Sequence, residues 1–175
     1  MLKIITVPSK ILSQPTKPVK KIDGKIKKII EEMKQTLIAQ KDPEGVGLAA
    51  PQVGLNLSIF IIRPRKNDPI EAFINPKIIK KIKQPEKKKK EKRIKLEGCL
   101  SIPKIWGKVK RDTKVLLQYQ TIEGETKTEW FSGFKAVIIQ HEVDHLQGIV
   151  FTQRVIEQGQ KLYKEKKGQL EEIKI

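Results

Sequence analysis

The chain is expected to adopt an α+β fold in which antiparallel strands pack around a central helix carrying an H-E-x-x-H segment, and three observations predict it. Ile22, Ile26, Ile29, Ile30, Met33 and Leu37 recur at helical spacing across Gly24 to Ala39. Val115, Leu117 and Tyr119 alternate with polar residues, Glu123-Gly124 reads as a turn, and Thr126 to Phe131 returns, as in an antiparallel hairpin. A further helical stretch, Phe134 to Leu146, follows those strands.

Each element has a local reason. Asp23 is placed to cap the first helix, and Asp42-Pro43 stops it. After a glycine-rich segment, Leu57 to Ile62 is an Ile-rich run consistent with a buried strand. Glu71 to Ile74 reads as another strand ahead of an Asn75-Pro76 turn, with Ile78 to Ile82 continuing after it. From Lys83 to Lys95 the chain runs KQPEKKKKEKRIK, too charged to bury, and is expected to be a solvated loop or hairpin tip. Ser132 is a candidate N-cap and Gly148 a candidate C-cap for the later helix. Val155 to Lys166 reads as helical, Gly168 breaks it, and Leu170 to Ile175 could form a last short strand.

A length of 175 residues suits one domain, residues 1–175, since no Gly/Ser-rich or Pro-rich linker divides it. No run approaches the ~18 apolar residues of a membrane span, and the N-terminus lacks a signal-peptide pattern. Together with a single cysteine, Cys99, this leads us to expect a cytoplasmic protein. The net charge of +17 should attract polyanions, but Lys dominates and only two Trp and two Tyr are present, which argues against a single-strand nucleic-acid binder. Nothing calls for an obligate dimer, so a monomer is expected.

The chemistry concentrates in three segments. Both histidines of the chain lie in His141-Glu142-Val143-Asp144-His145. On a helix, His141 and His145 share a face and can converge on one cation, while Glu142 can reach a metal-bound water. Phe134, Val137 and Ile138 precede them at i, i+3 and i+4, so the stripe is expected to face the core. Cys99, in Glu97-Gly98-Cys99-Leu100-Ser101, offers a third ligand and would leave a fourth position open, as in catalytic sites. A buried, inert thiol is the alternative. Gly45-Val46-Gly47-Leu48-Ala49-Ala50-Pro51-Gln52 leaves nearly bare backbone within a ligand's reach, and it lacks the Lys and Ser/Thr of a P-loop.

GVGLAAPQ, EGCLS and HEVDH, in that order, resemble the three motifs of the peptide deformylases, metal enzymes that remove the formyl group from the initiator methionine of new polypeptides. With Ile11-Leu12, Pro15 and Asn75-Pro76 the resemblance extends to about Thr152. It implies that Cys99, His141 and His145 bind the metal and that Glu142 is the general acid/base. It implies further that Gln52 and the backbone N–H of Leu100 stabilise the oxyanion, and that Arg111 pairs with Asp144 behind the helix. Val46 and Gly47 are then expected to pair with the substrate main chain, with Gly45, Glu97 and Gly98 as further substrate-binding residues, while Phe134, Val137 and Ile138, with Val46, are candidates for the methionine pocket, a core role being the alternative. The implied metal is Fe²⁺ in vivo, with Zn²⁺, Ni²⁺ or Co²⁺ accepted by the same donors. The implied partners are formyl-Met nascent peptides, with a ribosome or rRNA contact through Lys161, Lys164, Lys166 and Lys167. Many bacterial members carry Arg where this chain has Trp106, which points to a more apolar pocket rim. An H-E-x-x-H peptidase is the rival reading; the cysteine and GVGLAAPQ set the chain apart from it.

Overall fold

The computed structural model describes residues 1–83 and 96–174, so the expectation for Lys83 to Lys95 falls outside the described residues except at Lys83. Helix α1 (Gly24–Ala39) begins where expected, with the Asp23 carboxylate accepting from the N–H groups of Lys25 and Ile26. Strands β1 (Gly47–Ala49), β2 (Ile59–Ile62) and β3 (Glu71–Ile82) follow. Then come β4 (Glu97–Cys99), β5 (Ile102–Gly107), and the hairpin β6 (Lys114–Gln120) with β7 (Thr126–Ser132). Helix α2 (Gly133–Leu146) leads to the short α3 (Phe151–Glu157) and a last hairpin, β8 (Leu162–Lys166) with β9 (Gln169–Ile173).

The strands form two antiparallel sheets, β1-β2-β3-β6-β7 and β4-β5-β8-β9; α2 packs on the first and meets β4 of the second through Cys99–His145 and Glu97–His141. The packing follows from alternation along β2. Phe60 and Ile62 join the cluster under α2, with Phe73, Val115, Leu117 and Ile139. Ile59 and Ile61 point the other way, to Ile30, Met33 and Leu37 of α1. Each of those α1 side chains is fully buried, stabilising the fold by roughly 1.5–3 kcal/mol. A third cluster joins Cys99 and Ile102 to Phe151, Val155 and Leu162, fastening the smaller sheet to α3.

Three expectations are corrected, and two strands were not anticipated. Asn75-Pro76 is not a turn between two strands, because β3 runs through it with a register shift between Ile74 and Lys77. The irregularity is absorbed by Asn75 at φ +49, whose side chain bonds both the N–H and the carbonyl of Val19 and the Gln120 side chain. The helix expected over Val155 to Lys166 ends at Glu157, and β8 follows. Pairing with the open edge of β5 and burial of Leu162 outweigh its weak helical pattern. Strands β4 and β5 had no alternating signal and are fixed by each other and by β8. Finally, the Phe134-to-His141 stripe does not simply face the core: Ile138 is buried, but Phe134 is 46% exposed and Val137 and His141 are half-buried. A helix with sheets on both sides has no single buried face, so periodicity could not say which side was which.

Candidate active site

Helix α2 and strand β4 bring the second and third motifs together. The donor atoms of Cys99, His141 and His145 lie within 4.8 Å of one another, with Cys99 Sγ 3.2 Å from His145 Nε2. A tetrahedral centre with metal–sulfur ~2.3 Å and metal–nitrogen ~2.1 Å sets its donors ~3.3–3.6 Å apart, so the three side chains fit a divalent cation. His141 turns Nδ1 to Glu97 Oε2 at 3.0 Å, which leaves the opposite ring nitrogen for the cation and orients the imidazole.

Behind the histidines lies an ion network. Arg111 Nε and Nη2 donate to the two oxygens of Glu97 at 2.8 and 2.9 Å, and Nη1 donates to Asp144 at 2.6 Å. Arg154 Nη2 donates to the other Asp144 oxygen at 2.8 Å. Burial works against the Glu97 charge, but hydrogen bonds from Arg111 and His141 hold its carboxyl down at about 2. Burial also opposes the Arg111 charge, yet Glu97 and Asp144 keep that guanidinium above its ordinary range. The imidazoles diverge: burial, then the neighbouring His141, lowers His145, whereas for His141 burial is outweighed by hydrogen bonds to Cys99 and Glu97.

Glu142 is 3% exposed, and its Oε2 has no hydrogen-bond partner among the described residues. Burial pushes this carboxyl up to about 7, against the pull of His141. A Cβ on Gly47 would lie 2.2 Å from Glu142 Oε1, so only glycine lets β1 come so close to this carboxylate. Gln52 is equally constrained. Its Oε1 accepts from the Ala49 N–H at 2.9 Å, which aims its Nε2 at Cys99 Sγ and Ser101 Oγ, both at 3.3 Å.

These groups open on a cleft of about 230 Å³ between β1, β4 and α2. The model of the polypeptide deformylase family matches residues 1–161. The chain belongs to that family. A peptide deformylase of Desulfotalea psychrophila is 35% identical over 170 residues, covering 95% of this chain and 94% of the relative. Peptide deformylase 2 of Clostridium acetobutylicum is 40% identical over 84% of this chain and 90% of its own. Among solved structures, the peptide deformylase of Thermotoga maritima superposes with a TM-score of 0.78 at 35% identity, over 89% of this chain and 97% of that one. The Synechococcus elongatus deformylase in complex with actinonin gives a TM-score of 0.77 at 35% identity, over 88% and 80%.

Within this deformylase fold, all the expected substrate residues line the cleft: Gly45, Val46 and Gly47 on one wall, Glu97 and Gly98 on the second, Phe134, Val137 and Ile138 on the third. Glu97 does so with its carboxylate turned away to Arg111 and His141. Leu100 also lines the cleft, beside Cys99. Arg111 reaches Asp144 as the resemblance implied. Sequence reading missed Arg154 on Asp144 and the fully buried Ser101 beside Gln52. Ser101 stands in the EGCLS motif and was within reach of inspection; Arg154 had no signal.

Proposed function

We propose that the chain is a metal-dependent hydrolase that removes the N-formyl group from the initiator methionine of nascent polypeptides and releases formate. The observation that carries this reading is that Cys99, His141, Glu142 and Gln52 line one apolar cleft, with His145 against Cys99. A divalent cation held by Cys99, His141 and His145 would supply Lewis acidity; iron is our assignment in vivo, with Zn²⁺, Ni²⁺ or Co²⁺ fitting the same donors. Glu142 takes the proton of the attacking water and returns it to the leaving amine, a task suited to a buried carboxyl with a pKa of about 7. The Gln52 amide and the Leu100 N–H donate to the oxyanion that develops on the formyl oxygen, each contributing about 3 kcal/mol of transition-state stabilisation. Because Gln52 is held by Ala49, its donor needs no reorientation during the reaction.

Strand β1 stands at the edge of its sheet, which supports its receiving the substrate main chain as an added strand through Val46 and Gly47. Phe134, Val137 and Ile138 then form the methionine pocket. Arg111 and Asp144 fix the helix and take no part in proton transfer. No helix among the described residues is long and apolar enough to cross a membrane, in keeping with action on peptides leaving a ribosome in the cytoplasm. Of the lysines assigned to rRNA, Lys161 pairs with Glu172 and Lys166 with Glu171, so the contact would rest chiefly on Lys164 and Lys167.

The test is formate release from a formyl-Met tripeptide by the metal-loaded enzyme. We expect stoichiometric formate with an intact peptide backbone; internal cleavage without formate would instead establish the peptidase reading.

A further inference from the structure

We infer that the C-terminal hairpin, acting through Glu165, holds Trp106 as an apolar wall of the cleft, so that Trp106 selects for apolar residues following formyl-Met. The inference rests on the deformylase reading of the cleft. The hairpin begins at Leu162, just past the last residue matched by the family model, yet it is built into the sheet that carries Cys99. Across that sheet Gly98 of β4 is opposite Trp106 of β5, which is opposite Tyr163 of β8. Glu165, two residues beyond Tyr163, lies on the same face, and its Oε2 accepts from the Trp106 indole N–H at 3.0 Å.

That bond anchors one end of the ring. An indole nitrogen only donates, and Glu165 is its acceptor. Gly98 anchors the flat side, where a Cβ would lie 2.7 Å from Trp106 Cζ3. Held at both places, Trp106 lines the cleft together with Gly98 and Leu100. The hairpin is itself secured. Leu162 and Ile173 pack into the cluster containing Cys99, and Lys161 bonds Glu172 across the strands. Trp106 is therefore a specificity residue and Glu165 a positioning residue.

The test compares kcat and KM for the C-terminal amides of formyl-Met-Leu-Leu, formyl-Met-Ser-Ser and formyl-Met, uncharged substrates that separate apolar contact from the chain's positive charge. Wild type should favour the Leu peptide over the Ser peptide by about 10-fold, mainly through KM. Trp106→Ala and Glu165→Leu should bring that ratio towards one, and Glu165→Gln, which still accepts from the indole, should restore it. Turnover of formyl-Met amide by Glu165→Leu should match wild type. A Glu165→Leu enzyme that discriminates like wild type would overturn the role of the hairpin, as would an equal loss on all three substrates. No formate from any substrate with wild type would overturn the deformylase reading instead.

Discussion

Helices α1 and α2 cover opposite faces of β1 and β2, yet they are constructed differently. In α1 the buried apolar residues Ile26, Ile30, Met33 and Leu37 form one stripe, Thr36 is the one buried polar side chain and bonds the Leu2 backbone, and lysines occupy the solvent side. In α2 the buried set runs around the helix and includes Gln140, Glu142, Asp144 and His145, four polar groups inside the protein. One helix is held by area, the other by partners. Burying a polar group is costly unless it is bonded, and α2 meets that demand for Asp144 with Arg111 and Arg154 and for Gln140 with the Asp112 backbone, while Glu142 Oε2 has no partner among the described residues. A helix can be central to catalysis and still need outside groups to be stable in place.

Substitutions can break or sharpen this contrast. Glu142→Gln should lower deformylation by ~10²–10⁴-fold while metal content stays at wild-type level, measured by elemental analysis beside formate release. Retention of activity would remove Glu142 from the mechanism. In α1, Met33→Ala should cost about 2–5 kcal/mol in urea denaturation, yet the protein that remains folded should turn over normally. A fall in kcat comparable to that of Glu142→Gln would mean the two helices are not separable.

Glu97→Gln tests the partners of α2, and the expected loss is ~10–100-fold in metal affinity, read by competition with a chelator. The same residue has an acid signature. Its folded pKa of about 2 lies below the ordinary carboxylate value of 4.5, so its stabilising contribution is complete above 4.5 and lost as pH falls towards 2. Acid titration of stability should therefore be shallower in Glu97→Gln than in wild type. The smallest effect separates the two helix starts. Asp23→Ala should cost ~1 kcal/mol because that carboxylate bonds the first turn, whereas Ser132→Ala should stay within ~0.5 kcal/mol because Ser132 makes no side-chain cap bond. Equal costs would show that the cap bond at Asp23 has no net value.

The same contrast explains how far residue order could be read. Helix α1 and strand β6 follow from periodicity, because each has one face in water and one in the core. The candidate ligands were legible because Cys and His are scarce here and stand in ordered motifs. Strands β4 and β5 escaped notice: Glu97, Gly98 and Trp106 are arranged for the cleft and for cross-strand partners rather than for alternation.

Amino-acid order alone therefore determined the two helices, the hairpin and the donor set of the site, all of which depend on spacing within a short stretch of chain. Only the tertiary structure decided that Glu97 orients His141, that Arg154 joins Arg111 on Asp144, and that a hairpin beginning at Leu162 reaches Trp106. Those contacts join residues from different elements, 59 positions apart for Trp106 and Glu165, so the energies that select them arise only once both sheets have closed on α2.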